Sequence, residues 1–168
     1  MKKPLSLAFA ALALFATTPG GRADSLFDAS TAKKPSLELQ SILGPKSAGL
    51  RYDKRMIHAA QLAAARARKH STSRCWHWVK TALVDAQVVP TRPTTEYAKQ
   101  AGAELQTKFG FTKLRIDNPF EAPLGSVLVY GGAGAGHVEL RTLQGFASDF
   151  ISATPSSRPL IGIYVKRS

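Results

Sequence analysis

The chain changes texture near residue 110, and that change restricts the fold more than any other feature. Before it, apolar residues recur at helical spacing. After it, they come in short runs cut by glycine and proline. Met56, Ala59, Ala60 and Ala63 share one face of a helix expected over 53–68, with Arg66, Arg68 and Lys69 at the end where cations suit the dipole. Ser71, Thr72 and Ser73 offer capping oxygens to a second helix over 74–87, whose stripe is Cys75, Val79, Ala82, Leu83 and Ala86. Pro90 and Pro93 end it, and a third helix is expected over 94–108, stopped by Gly110. The runs 125–130, 136–142, 146–152 and 160–166 read as strands. Helices first and short antiparallel strands after predict an α+β fold, with N-terminal helices packed on a small antiparallel sheet.

The first 23 residues follow a different logic. Lys2 and Lys3 precede an apolar stretch of 12 residues from Leu5 to Ala16, which Pro19, Gly20 and Gly21 interrupt. Gly21, Arg22 and Ala23 then supply the small residues of a signal-peptide cut between Ala23 and Asp24. The stretch is shorter than the ~20 residues that span a bilayer, so membrane insertion is not expected. A periplasmic or secreted protein is. Residues 24–50 read as a lead-in arm, with a short helical turn after Pro35, and residues 51–168 as one domain. The 168 residues carry 23 Lys and Arg against 11 Asp and Glu, a net charge of +12. Losing Lys2, Lys3 and Arg22 with the signal leaves +9 on 145 residues. That field favours polyanions. In an exported chain it points to peptidoglycan or an anionic wall polymer rather than nucleic acid, and to a monomer acting on it.

Export makes the single cysteine informative, because thiols outside the cytoplasm are usually paired or absent. Cys75 is open to three readings: a small buried hydrophobe, an intermolecular bridge, or a reactive thiol. It stands in the first turn of its helix, where the dipole and free backbone N–H groups stabilise a thiolate. A base is available on the sheet. His137 follows the glycine-rich run 131–136 and shares a strand face with Glu139. A tight hairpin around Leu143, Gln144 and Gly145 is expected to bring Asp149 opposite or diagonal to that pair, where a carboxylate would orient the imidazole. A slip of one residue would exchange Asp149 for Ser148. His77 faces away from Cys75, and His58 and His70 have no acidic neighbour in register. No HExxH and no second cysteine suggest a metal, and the glycine run leads into a strand rather than a nucleotide-binding helix.

Residues 73–83, reading SRCWHWVKTAL, followed by LGSVLVY at 124–130 and GHVE at 136–139, resemble the CHAP/NlpC-type cysteine amidohydrolases, papain-like peptidoglycan hydrolases. The resemblance covers 72–166. It implies Cys75 as nucleophile, His137 as general base and Asp149 as the polar residue that orients it, with no cofactor and no metal. It also makes the Cys75 N–H and Ser73 oxyanion-hole candidates, and Glu139 a rival orienter or a substrate contact, since the family usually has a small apolar residue there. Trp76, Trp78 and Tyr130 are candidates for the cleft wall, with core packing as the competing role. The function implied is amide hydrolysis in peptidoglycan. Two alternatives accompany it: a non-catalytic cationic wall-binding or inhibitor protein, and a papain-like hydrolase of another amide, such as a toxin delivered to competitors.

Overall fold

The computed structural model describes residues 49–168; the expected signal peptide and all but the last two residues of the arm lie outside the described residues. Three helices precede or flank the sheet: α1 (Arg55–Arg66), α2 (Cys75–Asp85) and α3 (Ala101–Phe109). Six strands follow: β1 (Phe111–Lys113), β2 (Val127–Tyr130), β3 (His137–Thr142), β4 (Gly145–Ala147), β5 (Ile151–Ser152) and β6 (Leu160–Lys166). They form one antiparallel sheet in the order β1-β6-β2-β3-β4-β5. This is the α+β architecture that the sequence texture predicts. No helix among the described residues is long and apolar enough to cross a membrane.

The helices cover one face of the sheet. Met56, Ala59, Ala60 and Ala63 of α1 and Val79, Ala82 and Leu83 of α2 pack with Val127, Val129, Val138 and Leu140. The alternate residues Leu128, Tyr130 and Ile163 join Phe146, Ile116 and Ala122 in a second cluster on the other face. Period-two alternation thus feeds two cores at once, and all four residues of β2 are buried. Each fully buried side chain of this kind contributes roughly 1.5–3 kcal/mol. The alanine face of α1 also lets backbone approach backbone. Gly125 turns into β2 at φ +82°, and a Cβ there would lie 2.5 Å from the main chain of Met56. Only glycine meets both conditions.

Four element boundaries differ from the sequence reading, each for a local reason. The helix expected to run to residue 68 stops at Arg66, because the Arg68 N–H leaves to donate to the carbonyl of Asp149 at 2.9 Å. The second helix ends at Asp85, two residues early, where Gln87 takes φ +57° and the Val88 N–H closes on the Leu83 carbonyl. The third loses its first turns: Thr94 and Thr95 give their N–H groups to the Glu104 carboxylate, so a short 3-10 turn, Ala98–Gln100, comes before α3. Finally, the strand expected over 146–152 is two strands. The chain folds back at residues 148–150, and β4 pairs with β5 through Phe146 with Ser152 and Ala147 with Ile151. That turn carries Asp149, with consequences for the site.

Candidate active site

The N-terminus of α2 and the start of β3 meet at one end of the sheet. Cys75 is the first residue of α2 and is half-buried. The loop before it holds an unusual conformation: Ser73 has φ +58°, a left-handed backbone rare for a residue with a side chain. No side chain of the loop caps the helix. Ser71, Thr72 and Ser73 do not supply the capping expected of them, and their loop is itself held by a residue far along the chain. Asp149 Oδ2 accepts the Thr72 N–H at 2.5 Å, the Thr72 hydroxyl at 2.9 Å and the Arg74 N–H at 3.3 Å. The Ser71 hydroxyl also reaches it, at 3.3 Å, while the Ser148 hydroxyl donates to Oδ1. Burial pushes the Asp149 carboxyl up, but these N–H and hydroxyl donors outweigh it and hold the group below its ordinary range. A carboxylate just ahead of a helix is also favoured by the dipole.

His137 opens β3 directly after Gly136, which adopts φ +75° and leaves no room for a Cβ against the Tyr130 carbonyl and Lys99. The glycine therefore fixes a close packing at the strand's start. The imidazole is largely buried between the rings of Tyr130 and Phe150, at centroid distances of 6.1 and 6.4 Å. Its Nε2 lies 3.3 Å from Glu139 Oε2, and the Cys75 side chain is near enough to act on its charge. Glu139 is buried in turn. Its Oε1 accepts the Tyr130 hydroxyl at 2.6 Å and the Ser156 N–H at 3.3 Å.

These contacts set the charge of the site. Burial pulls the His137 imidazole down, but the hydrogen bonds and charges of Cys75 and Glu139 overcome it and lift the group to about 9. Tyr130 is pushed well above its ordinary value, by burial first and then by the Glu139 charge, so its hydroxyl stays a donor. The result is a row of side chains in which Tyr130 bonds Glu139 and Glu139 bonds His137, with Cys75 at the far end.

The site residues expected from sequence are thus sorted differently from the expectation. Cys75, His137 and Glu139 come together. Asp149 makes no hydrogen bond to His137, contrary to the hairpin expectation. The β3–β4 ladder ends at Leu140 with Ala147; continued, it would set Ser148, not Asp149, across from Glu139. The turn at 148–150 then directs Asp149 to the Cys75 loop. Ser73 is exposed in that loop, its N–H donating to the Ser71 hydroxyl. Trp76 and Tyr130 are core residues rather than cleft wall. The Trp76 indole N–H is spent on Thr95, both carbonyl and hydroxyl at 3.1 Å, and that segment is itself fastened by Lys80 and Glu104. Trp78 stacks under Arg68. The sequence reading missed Phe150, from the turn between β4 and β5, and the Ser156 N–H and Arg158, from the segment between β5 and β6; no local motif marks them. Among the described residues, no three His, Cys, Asp or Glu side chains converge as a metal site.

Neither a protein-family description nor a curated protein matches this chain. Among solved structures, the fold is similar to a chain in the crystal structure of the type VI native effector–immunity complex Tae3–Tai3 from Ralstonia pickettii. The TM-score is 0.55 at 23% identity, over 67% of this chain and 98% of that one. The selenomethionine form of the same complex aligns over 56% of this chain and 80% of the other, with TM-score 0.46 and 28% identity. The first likeness is one of fold: this α+β arrangement, almost end to end in the other chain, occurs in a type VI effector–immunity complex.

Proposed function

We propose that the protein is an exported cysteine hydrolase that cleaves amide bonds in peptidoglycan, with Cys75 as nucleophile, His137 as general acid and base, and Glu139 as the carboxylate that orients His137. The observation that carries this reading is the His137–Glu139 bond, beside a Cys75 that opens a helix and helps lift the imidazole. A thiol beside an imidazole that is charged at neutral pH is the ion pair that cysteine hydrolases need. With Nε2 on Glu139, Nδ1 is the nitrogen left for the thiol.

The reaction follows from that arrangement. The Cys75 thiolate adds to the amide carbonyl, and the oxyanion is met by the Cys75 N–H, which the first turn of α2 leaves without a helical partner. Imidazolium His137 gives its proton to the departing amine, leaving a thioester on Cys75. Neutral His137 then takes a proton from water, the hydroxide adds to the thioester, and the carboxylic acid leaves as the thiolate re-forms. Asp149 acts at a distance in this reading, by fixing the backbone that presents Cys75.

The resemblance of 73–83 and 124–139 to the CHAP/NlpC-type amidohydrolases supports peptidoglycan as substrate, and the net charge of +12 suits an anionic wall. The likeness of fold to a chain of a type VI effector–immunity complex favours a hydrolase directed at competitors, restrained in the producing cell by a protein partner. The test is digestion of purified sacculi by the protein and by Cys75→Ala, with released fragments identified by mass. The expected result is amide-cleaved fragments from the first and at least a thousandfold less from the second. Equal release, or none by folded protein from sacculi of several wall chemistries, would leave the wall-binding alternative in its place.

A further inference from the structure

The pocket beyond His137 is chemically one-sided. It measures about 310 Å³ and continues from His137 and Glu139 along Ser152, Thr154, Ser156 and Arg158. Glu139 is the only carboxylate in its lining among the described residues, and both Glu139 oxygens are already engaged, Oε1 by Tyr130 and Ser156 and Oε2 by His137. No unengaged carboxylate oxygen therefore faces the space among the described residues. Donors do. The imidazole is charged at neutral pH. The Ser152 and Ser156 hydroxyl oxygens accept the N–H groups of Thr154 and Arg158, which leaves the Ser156 hydroxyl hydrogen free to turn inward. Arg158 is exposed and forms no ion pair among the described residues. One N–H, on Nη1, is fixed to the Ala133 carbonyl at 2.9 Å, across the glycine-rich loop. That single bond orients the guanidinium while leaving most of its donor fork unused.

A pocket with surplus positive charge, spare hydroxyl donors and a pre-oriented guanidinium suits an anionic acceptor. We propose that it is a subsite for a carboxylate of the substrate peptide, and that Arg158 is the residue that selects it. The substrate is then an acidic peptide whose free carboxylate sits on the Arg158 side of the bond facing Cys75; amidated peptides are discriminated against. This rests on the hydrolase reading for what happens to the peptide, but not for its binding.

The test separates the two. The full chain carrying Cys75→Ala is titrated with a soluble peptidoglycan stem peptide bearing free carboxyls, and with the same peptide in which every carboxyl is a carboxamide. The carboxylate form is expected to bind about tenfold tighter at low salt, less so at high salt. Adding Arg158→Gln is expected to bring the ratio to about one, and Arg158→Lys to restore part of it. A merely structural role in holding the glycine loop would weaken both peptides alike and leave the ratio standing. Equal affinity for the two forms, a preference that survives Arg158→Gln, or binding of neither form overturns the subsite. An Arg158-dependent preference with no Cys75-dependent digestion of sacculi by the unmutated protein keeps the subsite and overturns the hydrolase; digestion with equal affinities does the reverse.

Discussion

Two buried carboxylates serve the two halves of the candidate site, and they are built for different work. Asp149, on the Cys75 side, faces backbone: its Oδ2 collects the N–H groups of Thr72 and Arg74 and the Thr72 hydroxyl. Those partners neither titrate nor move, so the carboxylate acts as a clamp on a loop that holds Ser73 at positive φ. Glu139, on the His137 side, faces an imidazole and a phenol. Its partner changes charge during the proposed reaction, so the same functional group there tunes a proton. A buried carboxylate is therefore not a role in itself; the partner decides whether it stores rigidity or basicity.

Substitutions that separate the two halves put the comparison at risk, and the largest effect is expected at Glu139. Glu139→Gln keeps the shape and removes the charge, and is expected to lower kcat about a hundredfold with the fold intact. It should also move the alkaline limb of the activity profile. His137 stands at about 9 in part because of Glu139, so activity that depends on the imidazolium is retained below that value and lost as pH rises through it. Without the Glu139 charge the limb should fall about one pH unit lower. A profile of kcat/KM against pH that kept its alkaline limb would detach Glu139 from His137.

The next effect is expected at Asp149, and in a different observable. Asp149→Ala strands two N–H groups and should cost about 3 kcal/mol of stability, read by urea unfolding. Activity should fall with it, but the alkaline limb should stay in place. The sign with pH is opposite as well. Asp149 is held below its ordinary value in the folded protein, so its contribution is full above the unfolded carboxyl value near 3.8 and fades as pH falls through the folded one. An Asp149 variant of normal stability whose alkaline limb had moved would return Asp149 to the role first expected of it. The smallest effect is expected at Tyr130. Tyr130→Phe removes the hydroxyl that donates to Glu139 at 2.6 Å, leaving more of that carboxylate's charge to His137. A loss of kcat of about fivefold is expected, with the alkaline limb moved upward, opposite to Glu139→Gln. A packing role alone would lower stability without moving the limb.

Much of this molecule was legible in the residues themselves. The apolar spacing of Met56, Ala59, Ala60 and Ala63, and of Val79, Ala82 and Leu83, carried the helices, because burial of one face follows from period alone. The alternation of Val127 and Val129 with Leu128 and Tyr130 carried a strand, and the i, i+2 spacing of His137 and Glu139 put them on one face. The first turn of α2 was equally a local matter, so Cys75 at a helix N-terminus could be read from the apolar stripe it opens, even though Ser71, Thr72 and Ser73 do not cap that helix. Register could not be read. Where β4 stops and the chain turns back is settled by which pairing buries Phe146 and Ala147 on opposite faces of the sheet, a competition between distant segments. That turn gave Asp149 to the loop before Cys75 and left Glu139 to His137. Residue type and local spacing thus determined which groups this protein has for chemistry. Only the tertiary structure decided which of its two carboxylates touches the imidazole, because that depends on one residue of register between strands that the sequence alone cannot align.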